Sequence, residues 1–133
     1  MRLALIVTLL ALPATAQDAG LIAAGEGLFL DYCAACHETG ARGDGPMAEV
    51  LSVPVPDLTG LTARAGDGAF PYRDVVAKID GRDPLVSHGA VMPPWGDAFD
   101  TVESEFVRTE SGQPLVTSPP IRALVAWLEE VQE

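Results

Sequence analysis

The chain has 133 residues, with 19 acidic side chains against 8 basic ones and a formal charge of −11 at pH 7. That length holds one domain and little else, and the acidity argues against nucleic acid and anionic membranes, because phosphate binding needs a basic face. Two cysteines exclude a disulfide-dense scaffold, and 48% hydrophobic residues exclude a disordered chain.

The first element is a leader. Arg2 precedes an apolar run from Leu3 to Leu12, broken by Thr8, and Ala14-Thr15-Ala16 supplies the small residues that a signal peptidase reads. Ten residues of helix cover about 15 Å against a hydrocarbon core of about 30 Å, so the run is too short to span a membrane. The expectation is a signal peptide over 1–16 and one mature domain over 17–133, exported to the periplasm. Losing Arg2 and no acid takes the charge from −11 to −12.

A helix is predicted over Ala19–Cys33, where Gly25, Phe29 and Cys33 recur at intervals of four. Gly40, Gly43, Gly45, Pro46, Pro54 and Pro56 then make 38–60 mostly loop, with a helical turn or two at Met47–Leu51. Tyr72–Asp80 reads as a short helix that Pro71 opens and Gly81 stops. Residues 82–96 read as loop ending in Val91-Met92-Pro93-Pro94-Trp95. In 97–118, Phe106-Val107 and Leu115-Val116 flank Glu110-Ser111-Gly112 and suit a small hairpin. Ser118 can cap a last helix that Pro119 and Pro120 open and that Ile121, Leu124, Val125 and Leu128 stripe.

Both cysteines fall in Cys33-Ala34-Ala35-Cys36-His37, and a C-x-x-C-H run reads as covalent attachment of a c-type haem. One helical turn separates the two sulfurs, which suits two vinyl groups of one porphyrin, and His37 comes next as iron ligand. A thioredoxin-like pair also uses C-x-x-C, but it opens a helix in a βαβ setting, whereas here the pair is expected to close one, and it leaves His37 without a task. A structural disulfide explains neither the histidine nor the helix.

For the second axial position the candidates are Met47, Met92 and His88. Met92 is preferred, because Pro93 and Pro94 stiffen the strap that carries it and apolar neighbours protect a weak thioether–iron bond. The alternative is a methionine that fills a core gap.

These residues resemble the small class I c-type cytochromes of bacterial periplasms over essentially the whole mature chain. The resemblance rests on Gly25-x-x-x-Phe29-x-x-x-Cys33-Ala34-Ala35-Cys36-His37, Gly43-Asp44-Gly45-Pro46, Met92-Pro93 and the last helix with Trp127. It implies an all-α, cytochrome c-like fold in which the terminal helices cross, with Gly25 against Trp127, and short helices and loops wrap one haem c. It implies Met92 as distal iron ligand and the Pro46 carbonyl as hydrogen-bond acceptor for His37. Trp95 would bond a haem propionate or form an apolar wall, and Arg64, Arg73 and Arg82 are further candidates for the propionates. Arg42-Gly43-Asp44 matches a cell-adhesion tripeptide and is read as turn chemistry.

The function so implied is transfer of single electrons on a His/Met-ligated low-spin haem, with no substrate bond made or broken. Two alternatives stand beside it: a haem c subunit held permanently in a larger periplasmic dehydrogenase or oxidase, and a catalytic or sensing haem with a labile Met92. Asp97, Asp100, Glu103, Glu105 and Glu110 outnumber Arg108, which reads either as a solvated face or as a dock for a redox protein with a basic surface.

Overall fold

The computed structural model describes residues 14–82 and 92–133, with side chains from residue 18 onward. Most of the expected leader and His88 lie outside the described residues. Among the described residues, five α-helices follow in chain order: α1 (Ala14–Tyr32), α2 (Ala34–His37), α3 (Leu61–Ala65), α4 (Tyr72–Asp80) and α5 (Pro119–Glu130). Between α4 and α5 stands an antiparallel hairpin of β1 (Glu105–Arg108) and β2 (Pro114–Thr117). The architecture is mostly helical, and the hairpin qualifies the all-α expectation.

The fold is built on α1 against α5. Gly25 permits the contact: a Cβ there would stand 2.0 Å from the Ala123 carbonyl oxygen and 2.9 Å from the Trp127 Cβ. One turn further along α1, Phe29 is fully buried, with its ring centroid 4.3 Å from that of Trp127. The four stripe residues of α5 are buried with Ala123 and Trp127. The expected meeting of Gly25 with Trp127 is present, and the Ala123 backbone is closer still.

Two boundaries differ from expectation. α1 is already helical at Ala14, the first described residue, before the expected start and the expected cleavage point, and it ends at Tyr32, so that Cys33 is the joint between α1 and α2. α3 has only five residues before left-handed Gly66, too few to show a hydrophobic period. Tyr72–Asp80 is helical as predicted, and Gly81 ends it at φ +88°. The predicted turn near Met47 is a single 3₁₀ turn, Ala48–Val50.

Ser118 occupies the N-cap of α5 but makes no capping hydrogen bond, and its Oγ is buried without a partner. The cause lies in the residues directly after it. A cap oxygen seeks the second or third helical amide, and Pro120 removes the second. The far end of α5 is tied down instead: the Gln132 side chain donates to the carbonyls of Leu58 (2.8 Å) and Leu128 (2.6 Å) and accepts from the Thr62 amide (2.9 Å). Arg42 of the tripeptide pairs with Glu133 at the far end of the chain, a long-range contact rather than turn chemistry.

The Gly25 contact makes a direct test. Gly25→Val forces α1 and α5 apart and should lower stability by about 1–3 kcal/mol, the usual cost of overpacking. Denaturant unfolding of the holoprotein measures it; an unchanged midpoint would show that the helices do not meet there.

Candidate functional site: a haem cleft

Cys33 sits at a sharp joint, and α2 carries Cys36 and His37 within a single turn. The Cys33 amide donates to the Phe29 carbonyl at 2.8 Å, closing α1, while the Cys33 carbonyl accepts from His37 at 2.9 Å, opening α2. A four-residue helix leaves its last carbonyls without intrahelical partners. The next loop supplies them: Met47, Gly45 and Gly43 donate their amides to Ala35 (2.8 Å), Cys36 (3.1 Å) and His37 (2.9 Å). Alternate residues face α2, and Pro46, which has no N–H, falls on the exposed side. A Cβ at Gly45 would lie 2.7 Å from three α2 carbonyls, so the glycine permits the contact.

His37 is buried, and its Nδ1 has no hydrogen-bond partner. The carbonyl beside its ring is that of Pro56, not of Pro46. Gly43 lets it in, since at φ +86° it has no Cβ to meet the Pro56 carbonyl oxygen, which would otherwise be 2.9 Å away. Burial pushes the imidazole pKa down, and the Pro56 carbonyl opposes this by favouring the protonated ring without reaching good hydrogen-bond alignment with Nδ1. The neutral ring keeps a lone pair for a metal. Pro56 was invisible in sequence because its contribution is a backbone oxygen placed by tertiary folding.

Cys33 and Cys36 are unbridged thiols. Burial pushes the Cys33 thiol up to about 11, with Cys36 adding to the rise. A disulfide oxidoreductase needs the opposite, a thiol pKa lowered toward neutrality.

A cleft of about 1360 Å³ opens beside the pentapeptide. Cys33, Cys36, His37 and Met92 all border it, whereas Met47 and Pro46 are exposed and lie outside its lining. Its walls are largely apolar, with Leu51, Leu58, Val76, Ile79 and Leu128 among them. Met92 arrives on a strap moored to the end of α4, where the amides of Trp95 and Gly96 donate to the carbonyls of Ile79 (2.7 Å) and Asp80 (3.2 Å). A Cβ at Gly81 would stand 2.4 Å from the Pro94 Cβ, so the close mooring requires glycine there.

Trp95 stands at the edge of the cleft in an aromatic trio, stacked on Phe99 at 5.5 Å and edge-on to Tyr32 at 5.6 Å. Arg64, Arg73 and Arg82 reach the rim, as does Lys78. Of these, Arg64 donates to the Asp57 carbonyl and Arg82 pairs with Asp80. Leu115 and Glu110 of the hairpin segment also border the cleft, which nothing in their sequence neighbourhood signals. Two thiols, a buried imidazole with an open lone pair, a methionine and apolar walls fit a covalently held porphyrin.

A family model described as "Cytochrome C oxidase, cbb3-type, subunit III" matches residues 20–107. The chain belongs to that family. It is a c-type cytochrome with an electron-transfer role, and its cofactor is covalently bound haem c. The cytochrome is 38% identical over 92 residues to a "Cbb3-type cytochrome c oxidase subunit FixPc" of Rhizobium leguminosarum bv. viciae, a match covering 68% of this chain and 27% of that protein. No solved structure matches it significantly. Among the described residues, no helix is long and apolar enough to cross a membrane.

Haem attached through both thiols should stay with the polypeptide on a denaturing gel. Cys33→Ser/Cys36→Ser should abolish the haem-stained band, and a band that persists would exclude the thioether assignment.

Proposed function

We propose that this cytochrome carries single electrons between redox proteins of the periplasm on one haem whose iron is held by His37 and Met92. The observation that supports it most is the placement of Met92 on the same cleft as Cys33, Cys36 and His37, with Met47 outside it. When bound, haem c supplies one-electron oxidation and reduction at its iron. The protein's residues do the rest. Cys33 and Cys36 anchor the macrocycle, and the α1–α5 pair, α3, α4 and the loops wrap it in a cytochrome c-like fold. His37 is held as a neutral imidazole by burial. The strap at Trp95 and Gly96 keeps the Met92 thioether in place, and a thioether ligand favours the reduced state and raises the potential. An iron held by both His37 and Met92 would leave no site for substrate, and the cytochrome is read as an electron carrier that is not itself catalytic. Arg64, Arg73 and Arg82 supply positive charge for the propionates at the rim, and Trp95 serves as an apolar wall.

Residues 1–16 are proposed as a signal peptide. Cleavage after Ala16 would remove the first three residues of α1, and the exported protein should begin at Gln17.

A second reading is a haem c subunit held in an oxidase complex, and the name of the Rhizobium relative favours it. Size exclusion of the cytochrome alone and in gently solubilised extract separates the two. Elution at monomer size in both supports the carrier; co-elution with a large complex in extract supports the subunit.

The ferric protein should show a low-spin spectrum with a sulfur–iron band. Met92→Ala should abolish that band and lower the midpoint potential by an appreciable part of the roughly 0.8 V range that axial ligands command. Gly81→Val should weaken the band while covalent haem is retained, because the mooring of the strap is lost. A wild-type high-spin spectrum, or a band untouched by Met92→Ala, would overturn the ligation.

A further inference from the structure

The two faces of the hairpin differ in chemistry. Inward, Val107 and Thr117 are buried, and the Thr117 Oγ1 has no partner. Outward, Phe106 and Val116 face each other across the strands, 61% and 50% exposed. Strand alternation ties these choices together: shifting either strand by one residue would exchange its buried and exposed sets. Leu115 packs inward with Val107, and the fold leaves an aromatic–aliphatic pair in water on the other face, beside Arg108 and Pro114. Val102, close by in sequence, is fully exposed as well.

Asp100 and Glu103 border one surface hollow with Val116, and Arg108 shares the outer face with the pair. Asp97, Asp100 and Glu103, in the segment before β1, are exposed, while Glu105 belongs to the inner face, opposite Thr117, and pairs with Arg122 at 3.5 Å. An apolar centre with a charged rim is the anatomy of a docking face. The net charge of −11 repels a second copy of the chain and an anionic lipid surface alike. Behind the outer face, Leu115 borders the haem cleft, and Arg82 donates to the Val116 carbonyl at 3.1 Å, joining β2 to the end of α4.

We propose that the outer face of the hairpin docks a redox protein whose contact surface is apolar at its centre and basic around it, one strand's thickness from the haem cleft. This rests on the electron-carrier reading above, which the optical spectrum of each sample checks separately.

The probe is reduced mitochondrial cytochrome c, a lysine-rich redox protein, titrated at low ionic strength into reduced ¹⁵N-labelled holoprotein. Amide shifts should centre on residues 102–117 and fade as salt screens the rim. Phe106→Ser/Val116→Ser should weaken binding about fivefold or more, as loss of a docking centre does. Asp100→Asn/Glu103→Gln should flatten the salt dependence with the apolar pair intact, while Val50→Ser, on a different exposed loop, should leave affinity unchanged. Retained dispersion of the Val107 and Thr117 amides confirms that each variant keeps the hairpin. Shifts centred on 47–55, or wild-type affinity in the Phe106/Val116 variant with the hairpin intact, would overturn the proposal. So would self-association abolished by that variant, which would assign the face to a second copy.

Discussion

The close approach of α1 to α5 at Gly25 is the constraint on which the site depends. Because no side chain intervenes, the Ala123 carbonyl and Trp127 come against the α1 backbone, and Phe29 is trapped one turn above them. Phe29 then meets Trp127 on one side and the His37 ring on the other, with centroids 4.3 and 6.3 Å away. The last turn of α1 is thereby fixed, and the pentapeptide begins from a rigid base. A small chain gains little from its own core, so one well-placed helix pair has a large effect on the segments attached to it.

From that base, the problem passed along the chain is backbone hydrogen bonding. α2 is too short to satisfy its own carbonyls, and the loop through Gly43 and Gly45 satisfies them. Its folding back brings Val55 and Pro56 over Gly43 and places the Pro56 carbonyl beside His37. The same logic governs the other wall: the carbonyls at the end of α4 accept from Trp95 and Gly96, and this positions the strap of Met92. Glycines stand where these backbones touch, so the ligand-bearing segments are held by main-chain bonds rather than by side-chain packing.

Sequence pattern and structure agree most closely where chemistry is local. The helix at Tyr72–Asp80 and the apolar stripe of α5 rest on spacing along a single segment and stand where that spacing puts them, whereas Cys33 caps the separate helix that carries Cys36 and His37, so that the pair does not close α1 as expected. The hairpin too was visible, through two short apolar pairs on either side of Glu110-Ser111-Gly112. The departures share one cause. The Pro46 assignment named a carbonyl, and which carbonyl reaches His37 depends on how two loops stack. Ser118 lost its capping role to a proline two residues on, and α3 was too short to carry a period.

The cofactor and the class are therefore determined by this sequence alone. Two thiols and an imidazole at C-x-x-C-H spacing are a chemical signature that needs no long-range contact to be recognised. The tertiary structure alone decided the environment of that signature. It decided which methionine borders the cleft, which carbonyl faces the histidine, and which face of the hairpin turns outward. Those outcomes depend on contacts between residues far apart in the chain, and on backbone atoms that are chemically alike at every position, so no residue type announces them.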